Sequence, residues 1–255
     1  MSKTTGRDVL ALMPHPDDME ILCAGTLILL RLAGCRIHVI TMTAGDQGSP
    51  NRPREEIAAI RREEARQGAA AIGAAYECLG FDDVRIVFDN PSRENVCAAL
   101  RRVKPFLVMT TPPDDYMFDH IITSQLVRDA CFNAPMPNYA TSGGEPPIPS
   151  VPYLYYTDPV GGDDMFGQRV PATTLIDITS VMDQKRAALA CHASQREWLR
   201  AQHGLDNYIA TMEQWSALRG KELGVPYAEG FRQHRGHPYP ADDILLELAQ
   251  SARQS

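Results

Sequence analysis

Met13-Pro14-His15-Pro16-Asp17-Asp18-Met19-Glu20 puts an imidazole and two adjacent Asp carboxylates where an apolar run gives way to a second apolar run. The first, Val9-Leu10-Ala11-Leu12-Met13, reads as a short buried strand, and the second, residues 21–30, as a mostly buried helix. In open α/β sheets ligands bind at the carboxyl ends of strands, so a strand-to-helix turn is the right place for chemistry. The prolines restrict the backbone on both sides of His15. His15 and Asp18, three residues apart, can converge on one metal ion, while Asp17 faces a water. An Asp at a helix start also serves as an N-cap. Capping accounts for one of the two Asp, but not for the pair together with a His held between prolines.

Outward from this turn, strand and helix patterns alternate. Arg36–Thr43 is β-branched and ends in the Gly- and Pro-bearing loop 44–50. Residues 53–72 predict a long helix with Pro53 in its first turn and Glu55 and Glu56 at its positive end. Residues 75–79 and Arg85–Phe88 are short strand candidates. A helix is expected from about Ser92, as its cap, to Val103, followed by a buried strand over 106–111. The polar loop 112–120 leads into a helix from Ile121 to Phe132, and 133–150 reads as a surface loop. Later strands are expected at 151–156 and 173–178, helices at about 180–202 and 206–222, and a short helix at about 242–252. This alternation predicts an α/β fold: a mostly parallel sheet with helices on both faces and extra C-terminal strands and helices. The whole of 1–255 reads as one domain, with 225–255 as a C-terminal tail.

The 255 residues carry 44% hydrophobic and 22% charged residues and a formal net charge of -7, as a soluble globular chain does. No Lys/Arg block marks a nucleic-acid footprint or a membrane patch. The longest apolar run is too short to span a bilayer, and the polar opening residues do not read as a signal peptide. None of the six Cys forms a C-x-x-C pair, which fits buried free thiols in a reducing cytoplasm. The expected protein is therefore cytoplasmic, with neither nucleic acid nor membrane as partner.

A second carboxylate–imidazole pair, Asp119-His120, follows another buried strand. In a doubly wound sheet two such turns can meet at one edge. Catalytic zinc sites keep three protein ligands and one position open for water, and His15, Asp18 and His120 supply a His-Asp-His set. Asp17 is then the general base, and Asp119 a neighbour that orients a His. Such a set also accepts Fe(II), Co(II) or Mn(II). His38, within a strand pattern, and His192, on a predicted helix, read as structural.

Pro14-His15-Pro16-Asp17-Asp18-x-Glu20 resembles the (A/P)HPDD(x)E signature of the LmbE-like, or PIG-L-type, de-N-acetylase family. Thr43-Ala44-Gly45-Asp46-x-Gly48 is similar to its T-x-G-E/D-x-G loop, Arg61-x-x-Glu64 to its R-x-x-E helix, and Asp119-His120 to the end of its H-P-D-H motif. The resemblance covers the first half of the chain. It implies a Rossmann-like fold and a zinc-dependent hydrolase that removes an acyl group, usually acetyl, from an amino sugar. His15, Asp18 and His120 would be ligands, Asp17 the base, and Arg61 and Asp46 would lie near substrate. An ion pair of Arg61 with Glu64 or Glu56 is the alternative for Arg61. With the long tail, the resemblance also suggests a homo-oligomer.

The chain departs from the family pattern at Met117, where the family has the first His of H-P-D-H, a group thought to stabilise the oxyanion. Another donor is expected, His237 first because Pro238 restrains it, and Tyr116 second. The expected activity is metal-dependent amide hydrolysis on an N-acetylated amino sugar. The rivals are a one- or two-metal hydrolase of another ester or amide, and a non-catalytic sugar-binding member of the fold.

Overall fold

The computed structural model describes residues 6–141, 143–203 and 207–252. Its first strand, β1 (Asp8–Met13), is flanked on both sides by parallel neighbours, β2 (Arg36–Thr43) and β4 (Leu107–Thr110). The sheet continues through β3 (Ala75–Phe81) beyond β2, and through β5 (Tyr153–Thr157) beyond β4. Two C-terminal strands complete it: β6 (Thr174–Asp177) forms the edge, and β7 (Ala228–Gln233) is inserted antiparallel between β5 and β6. The seven-stranded order is β3-β2-β1-β4-β5-β7-β6.

The alternation along β1 divides the core. Val9, Ala11 and Met13 face one layer, and Leu10 and Leu12 the other, all without exposed surface. The first layer holds α1 (Asp18–Leu22), α2 (Ala24–Leu32), α3 (Arg54–Ala71), α6 (Met182–Leu189), α8 (Tyr208–Leu223) and α9 (Leu245–Ser251). The second holds α4 (Asn90–Val103) and α5 (Phe118–Asn133). Helices thus cover both faces, as a buried parallel sheet requires. Among the described residues, no helix is long and apolar enough to cross a membrane.

Local readings change in four places. Arg85–Phe88 is not a strand, because the Asp83–Val84 turn leads it away from the sheet, where it has no ladder partner. The cap of α4 is the Asp89 side chain, which accepts from Ser92 N at 2.9 Å, and Ser92 itself lies inside the helix. The expected helix 180–202 divides at 190–192 into α6 and α7 (Ala193–His203). Residues 228–233, read within a tail, form an inner strand. Its polar face was misleading because Glu229 is buried and fully engaged. The Glu229 carboxylate accepts from Gly25 N (2.9 Å), from Thr26 N (2.8 Å) and from Lys185 Nζ (2.6 Å). It thereby caps the N-terminus of α2 and neutralises a fully buried ammonium. Lys185 Nζ also donates to Ile21 O at 2.9 Å, so the last strand and α6 together fix the α1–α2 junction.

Candidate active site

Strand order reverses between β1 and β4, so their carboxyl ends share one crevice, and both polar turns open into it. From the β1 side, Asp17 adopts a left-handed conformation at φ 94°, one that Asp tolerates better than most residues. Asp18 Oδ2 accepts from His15 N at 2.9 Å, folding the turn back on itself. From the β4 side, α5 begins at Phe118, so Asp119 and His120 sit in its first turn, and Thr111 Oγ1 ties the His120 carbonyl at 2.8 Å.

The two turns bring His15, Asp18 and His120 together as a buried group able to hold a metal ion. His15 Nδ1 lies 3.4 Å from Asp18 Oδ2, and His120 Nε2 lies 3.6 Å from Asp18 Oδ1. The outer nitrogens are held by other carboxylates. His15 Nε2 meets Asp83 Oδ1 at 3.1 Å and Asp119 Oδ2 at 3.2 Å, and His120 Nδ1 meets Asp115 Oδ2 at 2.9 Å. One ring nitrogen of each His is thus turned toward Asp18, and the other is fixed by a carboxylate. This is the arrangement that prepares imidazoles for a cation, so the residues present fit a divalent metal. His15 also belongs to a second such group with Asp83 and Asp119.

The electrostatics agree. Burial by itself would lower the His15 pKa, but Asp119, Asp18 and Asp83 outweigh it and hold the imidazole well above its usual value. Burial would raise Asp18, yet His120 and His15 hold it below the usual carboxylate range. Asp17 moves the other way. Burial raises it, Arg61 opposes the rise, and the Asp18 charge adds to it. Two adjacent carboxylates are thus pushed apart in basicity, a pattern that separates ligand from base.

Asp17 Oδ2 accepts a hydrogen bond from the Tyr208 hydroxyl at the start of α8, and Arg61 stands 3.7 Å from Oδ1. Arg61 is buried and donates to Gly45 O and Pro16 O, both at 2.9 Å. Gly45 and Gly48 make room for it: a Cβ on either would lie 2.2 or 2.9 Å from the guanidinium. Arg61 pairs with neither acid of the alternative reading. Glu64 accepts from Ser194 N (2.9 Å) and Oγ (2.6 Å) at the start of α7, and Glu56 pairs with Arg52.

The site lies in a cavity of about 570 Å³ lined by His15, Asp17, Asp18, Arg61, Tyr116 and Met117 among others. Asp46 does not line it, being drawn off by Arg54 at 2.7 Å, whereas its neighbours Gln47 and Gly48 do. Tyr116 lines the mouth, its ring edge-on to His120 at 5.3 Å. His237 does not reach the cavity. It is exposed in the segment after β7, which Tyr239 fastens to α5 through the Arg128 carbonyl. His38 is bound to Asp8 at 2.8 Å at the opposite end of the strands. His192 is buried 3.0 Å from Glu20, in space left by Gly68.

Sequence reading missed Asp83 and Tyr208. It offered Asp115 only as an extra carboxylate for a two-metal site, whereas Asp115 holds His120 Nδ1. Tyr208 had no local signal, because it reaches Asp17 across 191 residues.

Residues 10–131 match the family described as PIG-L: GlcNAc-PI de-N-acetylase. The chain is similar to this family over just under half of its length. Both polar turns and Arg61 fall within this PIG-L region, and α7, α8 and β7 lie outside it. The chain is 29% identical to a 1D-myo-inositol 2-acetamido-2-deoxy-alpha-D-glucopyranoside deacetylase of Rhodococcus jostii, covering 74% of this chain and 82% of that protein. It is 26% identical to a 4-oxalmesaconate hydratase of Pseudomonas putida, covering 90% of each. The N,N'-diacetylchitobiose deacetylase from Pyrococcus horikoshii superposes with a TM-score of 0.77 at 25% identity, over 93% of this chain and 88% of that one. The expected α/β architecture and family resemblance are therefore borne out. The hydratase relative was not anticipated from the sequence.

Proposed function

We propose that this chain is a divalent-metal amidohydrolase that removes an acetyl group from an amino sugar or its conjugate. His15, Asp18 and His120 would hold the ion, with zinc the first choice for two nitrogens and an oxygen, and Fe(II), Co(II) or Mn(II) able to take its place. The observation that carries the reading is the convergence of one nitrogen from each His on Asp18, with a second, more basic carboxylate beside it. Bound there, a divalent ion supplies Lewis acidity toward water and the amide carbonyl.

Asp17 does the proton work. Tyr208 occupies Oδ2, which leaves Oδ1 for the attacking water. Its raised basicity is the direction a general base needs. As the C–O bond forms, Asp17 takes the water's proton. As the C–N bond breaks, it returns that proton to the departing amine. Arg61 beside Oδ1 steadies the carboxylate's negative charge. Tyr116, next to Met117 in the chain and lining the same cavity, would be the donor in place of the family's imidazole.

The hydratase relative favours a second reading, water addition to an unsaturated carboxylic acid. Its substrate's several carboxylates would need side-chain cations in the cavity besides the metal ion. Among the described lining residues Arg61 is the lone Lys or Arg, and it is already committed to Gly45 O, Pro16 O and Asp17. The amide reading therefore stands first. The test is to incubate zinc-loaded protein with N-acetylglucosaminides and, in parallel, with 4-oxalmesaconate. Release of acetate and free amine supports deacetylation. Hydration of the unsaturated acid without amine release would replace it.

A further inference from the structure

The chain contains two tryptophans, and both line the same cavity as His15, Asp17 and Asp18. They come from the two helices outside the PIG-L region. On α7, Gln195, Trp198 and Leu199 follow i, i+3, i+4 spacing, and on α8, Tyr208, Thr211 and Trp215 follow i, i+3, i+7. Each helix therefore turns one face to the cavity. Val160 adds to the wall, and Met117 replaces an imidazole with a thioether. The Trp215 indole has a built seat: its Nε1 and Cε2 lie 3.6 and 3.8 Å from where a Cβ on Gly161 would stand, ordinary contact that a bare glycine leaves open. Both indoles are half-buried, and both line the cavity. A volume of about 570 Å³ fits a ligand larger than one acetamido sugar.

Resting on the amidohydrolase reading, we infer that the amino sugar carries an apolar ring as its aglycone, and that Trp198 and Trp215 select for it. The polar side of the ligand falls to Gln47 and Gln195. Both side-chain amides line the cavity wall. The apolar side falls to the indoles, which offer large area and ring stacking at little conformational cost.

Because both tryptophans face the site, intrinsic fluorescence of the full-length, metal-loaded protein reports binding directly. The probes are the deacetylated products phenyl and methyl 2-amino-2-deoxy-β-D-glucopyranoside, which bind without turnover. The phenyl glycoside is expected to bind about tenfold or more tighter than the methyl one. Trp198→Ala, with Trp215 left as reporter, should reduce that preference to about threefold or less, while Trp198→Phe should restore part of it. Trp215→Phe, read through Trp198, keeps the test open if Trp198→Ala fails to fold. Equal affinities, no binding of either probe, or a preference untouched by the substitutions would overturn the inference. The N-acetyl forms are then assayed for turnover. Hydrolysis of both at equal kcat/KM with equal affinities sinks the ring selection and leaves the amide reading standing. A phenyl preference without any hydrolysis leaves the binding site standing and removes the amide reading.

Discussion

Replacing Tyr208 by Phe deletes one oxygen from the site and little else. The ring stays in the apolar layer it shares with Met212, and the Asp17 carboxylate loses the one hydroxyl that holds Oδ2. A hydrogen bond to a charged group contributes about 1.5–3 kcal/mol. If losing that bond lets the carboxylate turn away from the attacking water at a cost of the same size, kcat/KM falls by roughly 10- to 150-fold. Arg61, 3.7 Å from the other oxygen, still restrains the carboxylate, which points to the lower half of that range. The assay is acetate release from an N-acetylglucosaminide, with metal content measured on the same sample. The loss should appear in kcat, with KM and metal content near wild type, because Tyr208 acts through the base and touches no metal ligand. The double variant with Asp17→Asn separates a positioning role from a general one. With no base left to position, Tyr208→Phe should then cost less than about threefold further. A Tyr208→Phe enzyme within about twofold of wild type would refute the reasoning, and so would a full multiplicative loss in the Asn background.

His15→Ala, Asp18→Ala and His120→Ala should each lose the metal, and full occupancy by elemental analysis in any of them removes that residue from the ligand set. Asp17→Asn should keep the metal and lose on the order of 10²- to 10⁴-fold in kcat; near-normal turnover would reduce Asp17 to a turn residue. Asp115→Asn, which alters the partner of His120 Nδ1, should weaken metal affinity about 10- to 100-fold in a chelator competition, and an unchanged Kd would contradict that role. Glu229→Gln leaves the Lys185 ammonium buried without a counter-charge and should cost about 3–5 kcal/mol, a Tm drop on the order of 10 °C. Adding Lys185→Met should recover part of the loss, and a Tm that does not move in the single variant would show the pair to be dispensable.

The parts legible in the sequence are those whose signal is local. His15, Asp17 and Asp18 sit within four residues at the end of an apolar strand, and Asp119-His120 repeat the pattern at the end of another. Sheet order then brings the two turns together. Arg61 could be noticed but not placed, because its partners are backbone carbonyls that carry no side-chain signature. Strand β7 was hidden for a physical reason. In Ala228-Glu229-Gly230-Phe231-Arg232-Gln233 one position is a buried helix cap, and another is a glycine whose Cβ would lie 2.4 Å from Asp158 Oδ2, so the alternation of a strand is erased by tertiary demands. Tyr208, Asp83 and Lys185 make contacts that only the folded chain defines. His237 was drawn in by analogy with His15, a proline following each, and proline restrains a backbone without aiming a side chain.

The insertion of β7 between β5 and β6 has a consequence for biosynthesis. As the chain leaves the ribosome, the entire PIG-L region emerges with its ligands and base, but with β4 lacking its outer neighbour β5. Lys185 and Tyr208 arrive later, and Glu229, which caps α2, later still, so the α1–α2 junction lacks its last ties until then. A nascent chain halted before residue 228 would carry every proposed metal ligand, while Lys185 still waited for its counter-charge. The ligand set is thus complete in the chain well before the strand that caps α2 behind it.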